Sequence, residues 1–351
     1  MSRALSLAIE GLGDVWPNPS VGCVIQKNGE IVGEGATGKG GRPHAEIIAL
    51  ENAGQNARGA TAYITLEPCS HHGETPPCAE ALVKAGIDRV FYAAEDPDPR
   101  VSGKGGEILK KAGVFVVSAF FADNAKIMNE GFFKKVKTGR PFITLKFATS
   151  SDGKIATNEG ISQWITCEKS RIVGHYMRAN HDAILVGVDT VIADDPSLTC
   201  RIKGKESKSP VRIIFDTNLK TPISSKVIQT ALSVPTWLLT EAKGAEEYIQ
   251  LGVKVITVHN LRDLNHVLTY LADEGLTKIL VEGGSKIHGS FCENGFVDKI
   301  AWFKAPKAIG EDGLSAIKGS NLQDLTNNLA FVSMFKMNID EDVLEIFVAK
   351  E

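Results

Sequence analysis

Cysteine is scarce: six are scattered over 351 residues, too few for a disulfide framework. No apolar run approaches the roughly 20 residues that span a bilayer. The opening MSRALSLAIEGLG is short and carries Glu10, so it reads as an amphipathic helix and not a signal peptide. These absences point to a cytoplasmic, reducing location without a membrane partner, where clustered cysteines favour metal over disulfide. A basic excess is missing too: the net charge is −3, which gives a nucleic-acid partner no support. Internal repeats and low-complexity tracts are absent, as is the G-x-G-x-x-G dinucleotide fingerprint.

What is present is the composition of a globular protein, 43% hydrophobic and 23% charged, in a chain long enough for two domains. Up to about residue 137, runs of strand length alternate with helical patterns. VGCVIQ and EIVGEGA flank Asn28-Gly29, a strong hairpin signal. AEIIALENAG, AEALVKAG and GGEILKKAG read as helices; ATAYITLE, RVFYAAE and VFVVSAF read as strands. ADNAKIMNEGFFKKVKTG follows as one longer helix. This alternation predicts a three-layer α/β domain over residues 1–140. KTGRP, residues 137–141, marks a boundary by charge, Gly and Pro. A second α/β domain over 141–351 then carries strands at PFITLKFATSS, AILVGV, VRIIFD, TWLLT, KVITVH, KILVEGG and KIAWFKAPKAIG. TCEKSRIVGHYMRAN and LRDLNHVLTYLADEG separate some of them as helices.

The densest chemistry lies in LEPCSHHGETPPC, residues 66–78. Cys69 follows a strand; Cys78 opens a helix behind Pro76-Pro77, where proline suits the first turn and the helix dipole favours a thiolate. His44 begins the helix before that strand. One nitrogen and two sulfurs suit zinc, and three protein ligands leave a fourth position for water. The competing reading takes His71 or His72 as a fourth ligand and the site as structural. Glu46 favours the catalytic one, because activating water requires a nearby base. Positions i and i+2 of a regular helix stand about 200° apart. Glu46 therefore reaches the metal from an irregular first turn or not at all.

In the second domain, Glu282-Gly283-Gly284-Ser285 joins a strand to a helix, a turn that admits phosphate to backbone N–H groups. The same turn is also ordinary connection chemistry. Asp194-Asp195-Pro196 and Asp152-Gly153 have loop composition.

His44-Ala45-Glu46 with Pro68-Cys69 and a second cysteine resembles the zinc-dependent nucleoside deaminases, in which the glutamate shuttles protons. That signature has two residues between its cysteines; this chain has eight. The longer form, with SHHG and TPPC, resembles the bacterial bifunctional deaminase–reductase family of riboflavin biosynthesis. PNPSVGCVI, SQWIT, LKFATSSDG, DDPSLTCR and VEGG resemble it too, in order along essentially the whole chain.

The resemblance implies a cytidine-deaminase-like α/β/α domain, followed by a dihydrofolate-reductase-like α/β domain that uses NADPH. It implies zinc on His44, Cys69 and Cys78, with Glu46 as the proton carrier and Asn18 contacting substrate. In the reductase half it implies that Ser162, Arg178, Leu198, Arg201 and Glu282 line the substrate, with Lys146 beside it. Asp194 and Glu282 are the acids near the hydride-accepting carbon. Ala148, Trp164, Thr190, Asp194 and the run Gly284, Ser285, Lys286, Ile287, His288, Gly289 and Ser290 would contact NADPH. The bland alternatives are Trp164 in the core, Arg178 as a solvated helix charge and Asn18 as a turn residue. The implied substrate is a phosphorylated pyrimidine, and the implied assembly a homo-oligomer, dimer or tetramer. One departure stands out: Glu74 occupies a position where the family usually has a lysine or arginine suited to phosphate. Arg42 and Lys104 are the other cations considered for that role, against a plain surface reading of each.

Overall fold

The computed structural model describes residues 1–71, 76–99, 101–158, 164–318, 322–327 and 330–350. The chain forms two compact units, Met1–Arg140 and Pro141–Glu351.

The first unit runs α1 (Ser2–Gly11), β1 (Gly22–Lys27), β2 (Glu30–Ala36), α2 (Ala45–Ala53), β3 (Thr61–Leu66), α3 (Cys78–Lys84) and β4 (Arg89–Ala94). It ends with α4 (Lys104–Lys111), β5 (Phe115–Val117), α5 (Ala122–Met128) and α6 (Glu130–Thr138). Its sheet has the order β2-β1-β3-β4-β5, with β3, β4 and β5 parallel. Asn28 and Gly29 both take positive φ, 52° and 86°, as a two-residue turn between twisted strands requires.

Two glycines show how the layers close. A Cβ on Gly22 would stand 1.9 Å from the Ala4 carbonyl oxygen of α1, and one on Gly35 2.3 Å from that of Ala45 in α2. Gly35 pairs with Cys23, the neighbour of Gly22, so the two glycines lie on opposite faces of the sheet. Helices α1 and α2 therefore cover opposite faces at backbone contact.

The single long helix expected over 122–139 is two helices, α5 and α6, broken at Asn129. The buried Asn129 amide accepts from the Ser20 N–H at 2.8 Å and donates to the Ser20 carbonyl at 2.9 Å. Backbone at Asn129 (φ −99°, ψ 25°) leaves the helix to make that double contact. Gly139, at φ 73°, ends α6.

The second unit begins with β6 (Phe142–Thr149), β7 (Lys154–Ala156), α7 (Glu168–Ala179), β8 (Ala183–Gly187), α8 (Val188–Asp194) and β9 (Val211–Phe215). It continues with α9 (Lys226–Gln229), β10 (Thr236–Thr240), α10 (Glu246–Gln250), β11 (Lys254–Thr257), α11 (Leu264–Asp273), β12 (Lys278–Gly283) and α12 (Ser285–Glu293). β13 (Lys299–Lys304), β14 (Leu314–Ser315), α13 (Leu322–Asn327), β15 (Phe331–Ile339) and β16 (Asp342–Ala349) complete it. Nine strands form one sheet in the order β11-β10-β9-β8-β12-β6-β13-β16-β15; β7 and β14 pair separately. β11 through β13 are parallel, and β8, β9 and β10 are buried throughout, as in a sheet covered on both faces; Arg212 in β9 is buried with them. The antiparallel hairpin β15–β16 adds two strands absent from the sequence-based list.

Candidate active sites

In the first unit, the carboxyl ends of the parallel strands β3 and β4 carry the site, the usual place for ligands in an α/β sheet. Cys69 leaves β3; Cys78 is the first residue of α3; His44 caps α2 from outside it. Their ligand atoms lie within 4.8 Å of one another, the one such group of three or more among the described residues. His44 Nδ1 is 3.2 Å from Cys78 Sγ and 3.7 Å from Cys69 Sγ. Tetrahedral zinc at ordinary bond lengths sets nitrogen and sulfur about 3.6 Å apart, so the donor set fits that ion. The Cys78 N–H donates to Cys69 Sγ at 3.2 Å, the helix-start stabilisation expected of a thiolate. The bond between the two sulfurs, more than the backbone N–H, lowers Cys69 to about 4 and raises Cys78, so the thiolate of the pair sits on Cys69 and not at the helix start.

His44 has extended backbone (φ −68°, ψ 151°). Glu46 is thus not two helical positions from it, and the 200° separation does not apply. The Glu46 carboxyl is 4% exposed and lies within hydrogen-bond reach of Cys78. Burial raises it to about 7, where it can take or give a proton near neutrality.

A pocket is lined by His44, Glu46 and Cys69 together with Asn18, Arg42, Asp96, Asp98 and His71. Asn18 is wedged against Gly41, where a Cβ would come within 2.0 Å of its amide nitrogen. Arg42 lines this pocket, while Lys104 donates to the Pro99 carbonyl at 3.1 Å. Asp96 and Asp98 were not singled out in the sequence. They sit in EDPDP, a loop composition with no spacing signal. His72 and Glu74 lie outside the described residues.

In the second unit, β6, β12 and α7 bring Lys146, Glu282, His175 and Arg178 together. Arg178 grips Glu282 through two bonds, Nε–Oε1 at 2.7 Å and Nη2–Oε2 at 2.8 Å, and donates to the Thr199 carbonyl at 3.0 Å. It is not a solvated helix charge. Burial alone would raise Glu282; the fork of Arg178, with Lys146 and His175, outweighs it and holds the carboxyl at about 2. Glu282 is therefore an acceptor and not a proton donor. Lys146 is lowered, first by burial. His175, unnoticed in the sequence, accepts weakly from the Arg201 N–H at 3.4 Å and is lowered to about 4 by burial and the two arginines. Its signal was available: His175 and Arg178 stand three apart on one helix.

Leu198 is 3% exposed with φ 53°, and its side chain belongs to the apolar core cluster of Ile184 and Ile214. Asp194 ends α8 and is exposed, unlike Glu282. Trp164 is 57% exposed under the Arg171 guanidinium and is not core. Ser162 lies outside the described residues.

The glycine turn opens α12, which has no side-chain cap of its own, and Gly284 has φ +89°. A Cβ on Gly283 would come within 2.9 Å of Thr190, so α8 packs directly on the turn. An uncapped helix start reached through glycines fits a cofactor phosphate. The run beyond it does not present one face. Ser285, Ile287 and Ser290 are half-buried, Lys286 is exposed and pairs with Asp189 at 2.7 Å, and Gly289 is buried. His288 is buried against Phe147, ring centres 4.3 Å apart. Ala148 packs on the apolar cluster of Phe303 and Leu344.

Residues 1–94 match the model of the cytidine and deoxycytidylate deaminase zinc-binding region, and residues 141–342 that of the RibD C-terminal domain. The riboflavin biosynthesis protein RibD of Aquifex aeolicus is 44% identical over 349 residues, 99% of this chain and 97% of the relative. The chain belongs to the RibD family. The Escherichia coli RibD is 41% identical over 335 residues, covering 91% of this chain and 90% of its own. A solved Acinetobacter baumannii RibD superposes with TM-score 0.89 at 36% identity, covering 100% of this chain and 98% of that one. A Thermotoga maritima structure, titled a diaminohydroxyphosphoribosylaminopyrimidine deaminase/5-amino-6-(5-phosphoribosylamino)uracil reductase, gives 0.88 at 35%, covering 100% and 97%. The fold class is the expected one: a deaminase-like α/β/α unit, then an α/β unit of the RibD reductase type, like dihydrofolate reductase.

Proposed function

We propose that the chain performs two successive steps of riboflavin biosynthesis, one in each unit. Residues 1–140 remove ammonia hydrolytically from a 2,5-diamino-6-(5-phosphoribosylamino)pyrimidin-4-one. Residues 141–351 then reduce its ribosyl group to ribityl. Zinc and NADPH are the cofactors. Bound at His44, Cys69 and Cys78, zinc supplies Lewis acidity that makes water a nucleophile near neutral pH, and NADPH supplies the hydride.

Glu46 carries the proton. Its buried carboxylate takes one from the attacking water and delivers it to the amino nitrogen, so that the C–N bond breaks and ammonia leaves. Asn18 orients the pyrimidine beside it. In the reductase unit, Lys146 is the group able to pass a proton, while ionised Glu282 and Arg178 hold the substrate, and Arg201 offers its planar fork to the phosphate. Asp194 is the second acid and, with Thr190, Trp164, Ala148 and the first turn of α12, serves the cofactor side. A cytoplasmic homo-oligomer is the form proposed. Among the described residues no helix is long and apolar enough to cross a membrane.

The observation that carries this proposal is a buried Glu46 beside the clustered donors of His44, Cys69 and Cys78, with Glu46, His44 and Cys69 lining one pocket. The test is a zinc count per chain, with ammonia release and NADPH oxidation followed separately on the pyrimidine. Absence of ammonia release from zinc-loaded protein overturns the deaminase assignment.

A further inference from the structure

Glu67 lies two residues before Cys69, is 3% exposed, and has no part in the chemistry above. Its carboxylate accepts three backbone N–H bonds from one stretch of chain: Gly103 at 2.9 Å, Gly106 at 3.1 Å and, more weakly, Asp96 at 3.4 Å. Gly103 is the N-cap of α4 and Gly106 its third residue, and α4 has no side-chain cap within its own segment. Glu67 supplies that cap from another element, placing a negative charge where the helix dipole favours one. The adjoining backbone is locked as well: a Cβ on Gly105 would stand 1.9 Å from the Pro68 carbonyl oxygen. The glycines of SGKGG therefore serve this seam.

The segment so anchored carries Asp96, Asp98 and Val101, which line the same pocket as His44 and Cys69. Its start is held at the Asp96 N–H and its end at Gly103, both by Glu67 Oε2. We propose that Glu67 is a positioning residue that ties the substrate-facing residues Asp96, Asp98 and Val101 to the strand end bearing Cys69. It sets how tightly the pyrimidine substrate is held and leaves zinc and the proton transfer alone. A carboxylate is needed because only an acceptor-only group can serve donors at both oxygens.

This inference rests on the deaminase assignment for its kinetic half only. In E67Q the amide nitrogen must face an N–H donor. The amides of Asp96, Gly103 and Gly106 should then exchange with deuterium at least roughly tenfold faster, the loss of one charge-assisted bond. KM for the diaminopyrimidine should rise roughly tenfold, with kcat and zinc content near wild type. Gly103→Ala is the gentler probe. Its Cβ meets nothing within 4 Å, but φ of +76° strains the same anchor, so KM should rise in the same direction by less. Unchanged exchange in both variants overturns the proposal whatever the substrate. Faster exchange with an unchanged KM, or with lost zinc or a fall confined to kcat, overturns the role assigned to Asp96, Asp98 and Val101. A wild-type chain without ammonia release contradicts the deaminase assignment instead, and the exchange comparison still decides the anchor.

Discussion

Glu46 and Glu282 are both buried carboxylates, and their surroundings push them in opposite directions. Burial carries Glu46 up to about 7; for Glu282 burial is outweighed by Arg178. The consequences for stability follow from sign. Glu282 is depressed from an unfolded value of about 4.3. Its contribution is full above that pH and lost as pH falls towards about 2. His175 and His288 are held at about 4, chiefly by burial, against about 6.5 unfolded. Theirs is lost earlier, as pH falls from about 6.5 to about 4. Acidification over that window therefore weakens the protein through these histidines, while Glu46, raised to about 7, and Asp96, raised to about 6, oppose the loss by taking up protons in the folded state. H175Q should flatten the decline in urea midpoint between about pH 7 and pH 4.5; an unaltered slope would contradict this. E282Q should destabilise throughout that range by roughly 3–5 kcal/mol, because Arg178 is left buried without its counter-charge. Arg201→Ala should raise KM for the reductase substrate roughly tenfold, with the NADPH Kd nearly unchanged in titration. A large rise in that Kd would move Arg201 to the cofactor side.

At the scale of elements, the break between α5 and α6 is made by one side chain. Asn129→Ala leaves the N–H and carbonyl of Ser20 buried without partners, at roughly 1–3 kcal/mol each. The expected result is a denaturant midpoint lowered by that loss divided by the m-value; a wild-type midpoint would mean that the two bonds contribute nothing. No helical periodicity announces such a break, because Asn129 acts on a residue more than a hundred positions away. Hydrophobic runs did mark the buried strands, and Asn28-Gly29 the hairpin, because those signals are local. The β15–β16 hairpin escaped for a different reason. β15 is exposed on both faces from Val332 to Asn338, and its bulge between Ser333 and Phe335 splits the apolar–polar alternation of its sequence into two short pieces. β16 does alternate at Leu344 and Ile346 and was readable.

For the molecule as a whole, the chain divides between Arg140 and Pro141, and each unit carries its own polar centre. The clustering of His44, Cys69 and Cys78 was legible because these residue types are rare and His44 and Cys78 stand at predictable helix starts. His175, Asp96 and Glu67 were not, since common residues acquire meaning only when loops fold onto one another. The central claim is that Glu46 moves the proton while His44, Cys69 and Cys78 hold the ion. Glu46→Ala tests it most directly, with zinc counted, ammonia release followed on the diaminopyrimidine, and NADPH oxidation followed on the deaminated product. The expected outcome is one zinc per chain, intact NADPH oxidation, and ammonia release down by about 10²–10⁴-fold. Unimpaired ammonia release, or loss of the zinc with the carboxylate, would contradict it.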